Sequence, residues 1–212
     1  MTPDQPLAKP VRIITYTDGF NLYYGLKDAR YERYLWLDLV RLSLMLLKPG
    51  QKIVRVKYFT SRISMPEDKK KRQANYLEAL GTLQNLDVTY GHFLDKPMEC
   101  RSCSRTWMSH EEKMTDVNIA TQLLIDAHDD KFDSALMISG DSDLVPPVRA
   151  IRQRLPDKRI IAAFPPHRHS ESLKQACHGW FNIGRDKLAA SQLPDEVIKP
   201  DGYKLIRPPS WA

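Results

Sequence analysis

Hydrophobic positions along the chain fall into two patterns: short continuous runs, and longer segments in which apolar residues recur every three or four positions. The first pattern is typical of strands buried on both faces, and the second is typical of amphipathic helices. The continuous runs predict five strands, at residues 11–17, 51–61, 86–94, 133–139 and 159–164. The periodic segments predict helices at 35–47, from 66 onward, at about 110–128, at 144–155 and at 170–178. This alternation predicts an α/β fold with a mostly parallel central sheet and helices on both faces.

The helix predicted at about 110–128 is important because it carries an acid. Ser109 with Glu112 three residues later matches a capping box, which places the start of the helix at about His110. Lys113 and Asp116 then fall in its first turns. The apolar residues that follow at helical spacing predict the face that packs on the sheet; they are Val117, Ala120 and Leu124.

Length and composition predict one compact domain with appendages. The chain has 212 residues, of which 42% are hydrophobic, and this is enough to build a sizeable core. We expect a loose lead-in at residues 1–10, a main domain at 11–185, and a C-terminal arm at 186–212 that forms a short hairpin or binds a partner. Thirty-two Lys and Arg against twenty-six Asp and Glu leave a formal charge of +6, which favours a polyanionic partner such as nucleic acid.

The sequence contains no targeting or membrane signal. The first residues lack the basic-then-apolar pattern of a signal peptide, and no run approaches the roughly 20 apolar residues that cross a bilayer. We therefore expect a cytoplasmic protein with no membrane partner. The odd number of cysteines, three, argues against a disulfide framework.

Two predicted strands end in acidic turns. The first strand runs into Asp18 and Asn21, and the fourth runs into Asp141 and Asp143. Ligands of parallel sheets bind at the carboxyl ends of the strands, so these side chains are expected to meet there, with Asp116 added from its helix. Clustered carboxylates repel one another unless a cation neutralises them, and hard oxygen ligands select Mg²⁺ or Mn²⁺.

Such an ion activates water for attack on a phosphodiester, so the residues predict phosphodiester hydrolysis. An acid after a strand is also a common turn former or helix cap, and that interpretation stays open for each acid taken alone.

Three acid-bearing segments stand out along the chain: Asp18-Gly-Phe-Asn21-Leu, Lys113-Met-Thr-Asp116-Val and Ser139-Gly-Asp141-Ser-Asp143-Leu. Together and in this order they resemble the NYN domain family, a branch of the PIN-like nucleases, over approximately residues 11–185. The resemblance implies a PIN-like three-layer fold and Mg²⁺- or Mn²⁺-dependent endoribonuclease activity. The metal-binding and catalytic acids that it implies are Asp18, Asp116, Asp141 and Asp143. Asn21 would orient an acid or the substrate.

Several polar and basic residues near these acids are candidates for holding RNA. Those expected to contact the substrate are Lys113, Arg101, Arg105 and Ser142. A run of basic residues at 69–72 either forms a solvated helix face or widens a positive track for the RNA backbone.

Cys100 and Cys103 have the spacing of half a zinc site, inside a predicted loop at 97–110. His92 and His110 flank the pair and would complete a structural Zn²⁺ site, or two chains of a homodimer would each supply one pair. The simpler alternative is a pair of reduced thiols in a turn.

The leading hypothesis is a metal-dependent ribonuclease, and two alternatives stay open. One is a non-catalytic RNA-binding or regulatory module on the same fold. The other is a phosphatase or nucleotide-processing enzyme, against which the chain has no Gly-x-x-x-x-Gly-Lys-Ser/Thr phosphate loop. A regulatory protein partner is compatible with each hypothesis.

Overall fold

The computed structural model describes residues 9–99 and 102–212, and the side chains of residues 93–96 and 107–112 fall outside that description. In chain order the described strands are β1 (Val11–Asp18), β2 (Gln51–Thr60), β3 (Leu86–Tyr90), β4 (His92–Glu99), β5 (Thr106–Lys113), β6 (Ser134–Ile138), β7 (Arg159–Phe164), β8 (Gly179–Asn182), β9 (Glu196–Ile198) and β10 (Lys204–Ile206). The α-helices are α1 (Gly19–Asp28), α2 (Leu39–Met45), α3 (Glu67–Leu80), α4 (Thr115–His128), α5 (Val145–Arg154), α6 (Glu171–Ala176) and α7 (Arg185–Ala190).

The central sheet has six strands in the order β3-β2-β1-β6-β7-β8. All five neighbouring pairs are parallel, so the predicted mostly parallel sheet is confirmed. β6 is buried along its whole length, as expected for a continuous apolar strand in the middle of such a sheet. β1 and β6 are neighbours and run in the same direction, so the turns that follow them leave the sheet side by side.

Helices pack on both faces of the sheet, because successive side chains of a strand point to opposite sides. On β1, Ile13 belongs to the hydrophobic cluster that also contains Leu22, Leu39 and Leu80 of α1, α2 and α3. The next residue, Ile14, belongs to the opposite cluster, formed with residues of α4, α5 and α6. The predicted α/β arrangement with helices on both faces is therefore present.

The prediction of a helix start at about residue 110 is wrong. Residues 106–113 form β5, which pairs antiparallel with β4, and α4 begins only at Thr115. Ser109 and Glu112 therefore lie in a strand, and the predicted single strand at 86–94 is divided between β3 and β4. A capping-box pattern extends over four residues only, and here the pairing of two longer segments overrides it.

The predicted docking face of α4 is also wrong. Val117 is 61% exposed and Leu124 is 39% exposed, whereas Ile119, Leu123 and Ala127 are buried against the sheet. The helix has apolar residues on more than one side, so spacing alone allowed two alternative faces.

The C-terminal residues pack on the main body of the structure. β9 and β10 form an antiparallel hairpin that contacts α3. Beyond it, Trp211 is buried and its ring lies 5.9 Å from that of Tyr76, centroid to centroid. In the described part of the chain, none of the helices combines the length and the hydrophobicity that crossing a membrane requires.

Candidate metal centre

Three carboxylates meet at the carboxyl edge of the sheet. Asp18 is the last residue of β1, Asp141 lies in the turn that leaves β6, and Asp116 is the second residue of α4. One carboxylate oxygen of each lies within 4.8 Å of the corresponding oxygens of the other two. Asp18 is buried, whereas Asp116 and Asp141 are half-buried, so the group opens toward solvent on one side.

Two hydrogen bonds help to fix the orientation of the Asp18 carboxylate. Asp18 is the N-cap of α1, and its Oδ1 accepts a hydrogen bond of 3.0 Å from the backbone N–H of Asn21. Its Oδ2 accepts a hydrogen bond of 3.0 Å from the hydroxyl of Ser139. The Ser139 hydroxyl oxygen in turn accepts from the backbone N–H of Asp141 at 3.1 Å. Ser139 therefore connects two of the three acids.

The exits of β1 and β6 are also joined through Asn21. Its side-chain oxygen accepts a hydrogen bond of 2.8 Å from the backbone N–H of Gly140. A side chain at Gly140 would lie 2.8 Å from the backbone carbon of Arg168, so glycine is needed for this close approach. The first turn of α1 and the turn after β6 thus form one rigid unit around Asp18.

Asp143, predicted as a fourth metal ligand, is placed differently from the other three acids. It is exposed in the 3-10 turn Ser142–Leu144, and its backbone N–H donates to Oδ1 of Asp141 at 2.9 Å. Among the described residues it is not a member of the group whose oxygens lie within 4.8 Å. Ser142 is exposed in the same turn, between Asp141 and Asp143 in the chain.

Two of the predicted substrate-binding residues, Lys113 and Arg105, lie on or next to β5. Lys113 is the exposed last residue of β5, two residues before α4 begins. Arg105 is exposed just before β5. Arg101 lies outside the described residues. The structure thus shows two of these three basic residues on a hairpin that leads directly to Asp116.

The predicted zinc pair is described only in part. Cys103 is a free and exposed thiol, whereas Cys100 lies outside the described residues. A zinc site at this pair therefore stays a prediction.

A buried ionic network that the sequence did not reveal lies below the carboxylates. The Asp126 Oδ2 atom of α4 accepts hydrogen bonds from the Tyr16 hydroxyl and the Lys57 ammonium, both at 2.6 Å, and its Oδ1 accepts from Gln122 at 3.0 Å. Burial, together with the neighbouring carboxylate, raises the pKa of the Tyr16 phenol far above its usual value. The network ties α4 to β1 and β2 and so helps to position Asp116. In the sequence, this network is indicated by Asp126, an acid that falls at helical spacing from the buried apolar residues of α4.

A cavity of about 500 Å³ lies beside the carboxylate group, between α1 and α3. Gly19, the residue that follows Asp18 in the chain, lines this cavity. We call it the aromatic cavity, because six of the residues that line it carry aromatic rings; three others are cations. These residues are Phe20, Tyr23, Tyr24, Tyr58, Tyr76, Trp211, Lys27, Lys69 and Arg72.

The mostly parallel sheet, with helices on both faces and carboxylates grouped at its carboxyl edge, is consistent with a PIN-like α/β domain. The family model of the NYN domain matches residues 12–184, which is most of the chain, and the chain belongs to the NYN domain family. This match confirms the resemblance that the three acidic motifs indicated. NYN domains are generally nucleases of the PIN-like group.

Two individual proteins are similar to this chain. The 6-hydroxy-3-succinoylpyridine 3-monooxygenase HspA of Pseudomonas putida is 29% identical, in an alignment that covers 96% of this chain and 76% of that protein. The crystal structure of a Vibrio parahaemolyticus protein of unknown function superposes with a TM-score of 0.56 at 18% identity. That alignment covers 89% of this chain and 100% of the other, and it supports the fold alone.

Proposed function

We propose that this protein is a metal-dependent endoribonuclease that hydrolyses RNA phosphodiester bonds. The observation that carries the proposal is the convergence of Asp18, Asp116 and Asp141, whose oxygens come within 4.8 Å although they belong to three different elements. Ionised carboxylates so close together repel one another, and a bound cation would remove this repulsion. Membership of the NYN domain family agrees with this interpretation.

The donor set fits a hard divalent cation, because every group is a carboxylate oxygen. Asp18, Asp116 and Asp141 would hold Mg²⁺ or Mn²⁺. When bound, such an ion supplies a water of lowered pKa and stabilises negative charge on the phosphate oxygens.

The protein's own side chains position the acids and bind the RNA. Asn21 and Ser139 keep the acids in place through the hydrogen bonds described above. Asp143, which is exposed next to Asp141, is proposed to ligate the cation directly or to orient the attacking water. Lys113, Arg105 and Ser142 are proposed to hold the RNA backbone, in part through charge attraction to phosphate, and Arg101 is proposed for the same role from the sequence.

The test is cleavage of labelled single-stranded RNA and of matching DNA in Mg²⁺, in Mn²⁺ and in EDTA. Asp141→Asn should abolish cleavage while leaving the thermal unfolding temperature close to that of the wild type. Asp157→Asn is the matched control, because Asp157 is an exposed acid that precedes β7, at the opposite edge of the sheet from the carboxylate group. Full activity of Asp141→Asn, or equal activity in EDTA, would contradict the proposal. RNA binding without cleavage by the wild type would favour the non-catalytic alternative.

A second candidate is oxygenation of a small heteroaromatic acid. Two observations favour it: HspA, whose name states such an activity, aligns with nearly the whole chain, and the aromatic cavity has the size and the charge for such a molecule. Monooxygenation consumes O₂ and an electron donor. Oxygen consumption with 6-hydroxy-3-succinoylpyridine and a reduced nicotinamide donor would support this candidate, and the absence of consumption would reject it for this substrate.

A further inference from the structure

The aromatic cavity is separate from the carboxylate group but shares helix α1 with it. Gly19 and Phe20 belong to the first turn of α1, which Asp18 caps, and both line the cavity. A side chain at Gly19 would lie 2.7 Å from the backbone oxygen of Phe59, so α1 lies tightly against β2 at this point. The volume of about 500 Å³ falls within the roughly 300–1,000 Å³ of ligand sites.

The deep part of the cavity is formed by fixed aromatic rings. Tyr58, Tyr76 and Trp211 are all buried, and the Tyr76 hydroxyl donates a hydrogen bond of 2.7 Å to the backbone oxygen of Leu37. On the α1 side, the Phe20 and Tyr24 rings lie 6.3 Å apart with an interplanar angle of 23°. A planar ring that enters between these walls can stack on the aromatic side chains or contact them edge to face.

The solvent side of the cavity is cationic. Lys69 is exposed, and Lys27 and Arg72 are half-buried, whereas the deep rings are buried. None of the described residues that line the cavity is acidic. Arg72 pairs with Asp68, which lies outside the lining, at 2.8 Å, and five donors per guanidinium leave it able to bind a second anion. A ligand with a negative group at this end is therefore favoured.

The wall next to these cations is fixed by Gln73. Its side-chain oxygen accepts from the backbone N–H of Ile63 at 2.8 Å, and its amide nitrogen donates to the backbone oxygen of Ser61 at 2.8 Å. The segment after β2 is thus attached to α3, and the cavity exists before a ligand arrives. Because the site is preformed, ordering its residues costs little free energy when a ligand binds.

We propose that the aromatic cavity binds a planar heteroaromatic ring that carries an anionic group. Two sources have this chemistry: a nucleotide unit with its phosphate, and a free heteroaromatic acid. The ring would lie among Tyr24, Tyr58 and Tyr76, with the anionic group beside Lys69 and Arg72. This inference does not rest on the nuclease activity, because binding here requires neither the three acids nor a cation.

The first experiment is isothermal titration calorimetry of the full chain in EDTA. The probes are UMP and AMP for the nucleotide source, and pyridine-3-carboxylate for the free acid. Uridine and inorganic phosphate, as separate fragments, test whether ring and anion are both needed. At least one complete probe should bind with a dissociation constant of about 1 mM or lower, and the fragments about tenfold more weakly or worse.

A matched pair of lysine variants then tests whether the ligand binds in this cavity. Lys69→Ala removes a cation that lines the cavity, whereas Lys71→Ala removes an exposed neighbour on the same helix that does not line it. Both changes alter the net charge equally. Lys69→Ala should weaken binding of the complete probe about tenfold, as expected for loss of a charged hydrogen bond, and Lys71→Ala should change it less than about twofold.

Each outcome decides the proposal. Tighter binding of UMP or AMP assigns the cavity to nucleotides, and tighter binding of pyridine-3-carboxylate assigns it to free aromatic acids. Equal effects of the two lysine variants, or no binding of any complete probe, would overturn the inference. Because these titrations contain no divalent cation, their failure is distinguishable from a failure of the nuclease proposal, which is measured by RNA cleavage.

Discussion

Lys57→Met should lower the free energy of unfolding by about 3 kcal/mol, because it leaves a buried carboxylate without its cation. The Lys57 ammonium lies 2.6 Å from Asp126 Oδ2, and the side chains of the pair are only 15% and 6% exposed. Loss of one partner of a buried pair typically costs about 3–5 kcal/mol. The lower end applies here, because Tyr16 and Gln122 still donate hydrogen bonds to Asp126 in the variant.

The assay is equilibrium unfolding in urea, followed by circular dichroism, with a double variant and a surface control. Lys57→Met combined with Asp126→Asn removes both charges and keeps an acceptor for the Tyr16 hydroxyl, so it should be about 1–2 kcal/mol more stable than Lys57→Met alone. Arg55→Met breaks a neighbouring ion pair with Asp87 whose side chains are 41% and 44% exposed, and it should cost less than about 1 kcal/mol. The reasoning is refuted if the double variant is no more stable than Lys57→Met, or if Arg55→Met costs as much.

Three further outcomes are expected. Ser139→Ala should weaken Mn²⁺ binding by about 10- to 100-fold, because Asp18 loses its hydroxyl donor; unchanged affinity in a metal titration would contradict this. Stability should fall above about pH 10, because the Tyr16 phenol ionises there in the unfolded chain, whereas burial raises its pKa in the folded protein and keeps it protonated. Tyr16→Phe should reduce this slope in urea titrations between about pH 9 and pH 11. Gly19→Ala should lower the free energy of unfolding by about 1–3 kcal/mol, because the added methyl would lie 2.7 Å from the Phe59 backbone oxygen, and an unchanged urea midpoint would contradict this.

The carboxylate group could be predicted because its signals are short and local. The apolar runs that end at Asp18 and Asp141 indicated two buried parallel strands, and the carboxyl ends of neighbouring parallel strands lie at the same edge of a sheet. Asp116 was predicted near the start of its helix even though that helix begins five residues later than expected.

The features that the sequence did not reveal depend on contacts between distant segments. The capping pattern at Ser109 was overridden by the pairing of β5 with β4. The aromatic cavity joins Phe20 to Trp211 from near the two ends of the chain, and no local pattern relates these residues. Composition and periodicity carry little information of this kind, because they describe neighbours along the chain.

The hydrogen bond from Gly140 to Asn21 has a thermodynamic consequence. It fixes the first turn of α1 to the exit of β6, and the same helix carries Asp18 at its cap and Phe20 in the wall of the cavity. If a ligand bound in the cavity displaced this helix, it would change the spacing of the acids, and a cation bound by the acids would restrict the helix. Linkage would then require the influence to be mutual: the factor by which Mn²⁺ changed the affinity of the cavity for its ligand would equal the factor by which that ligand changed the affinity for Mn²⁺.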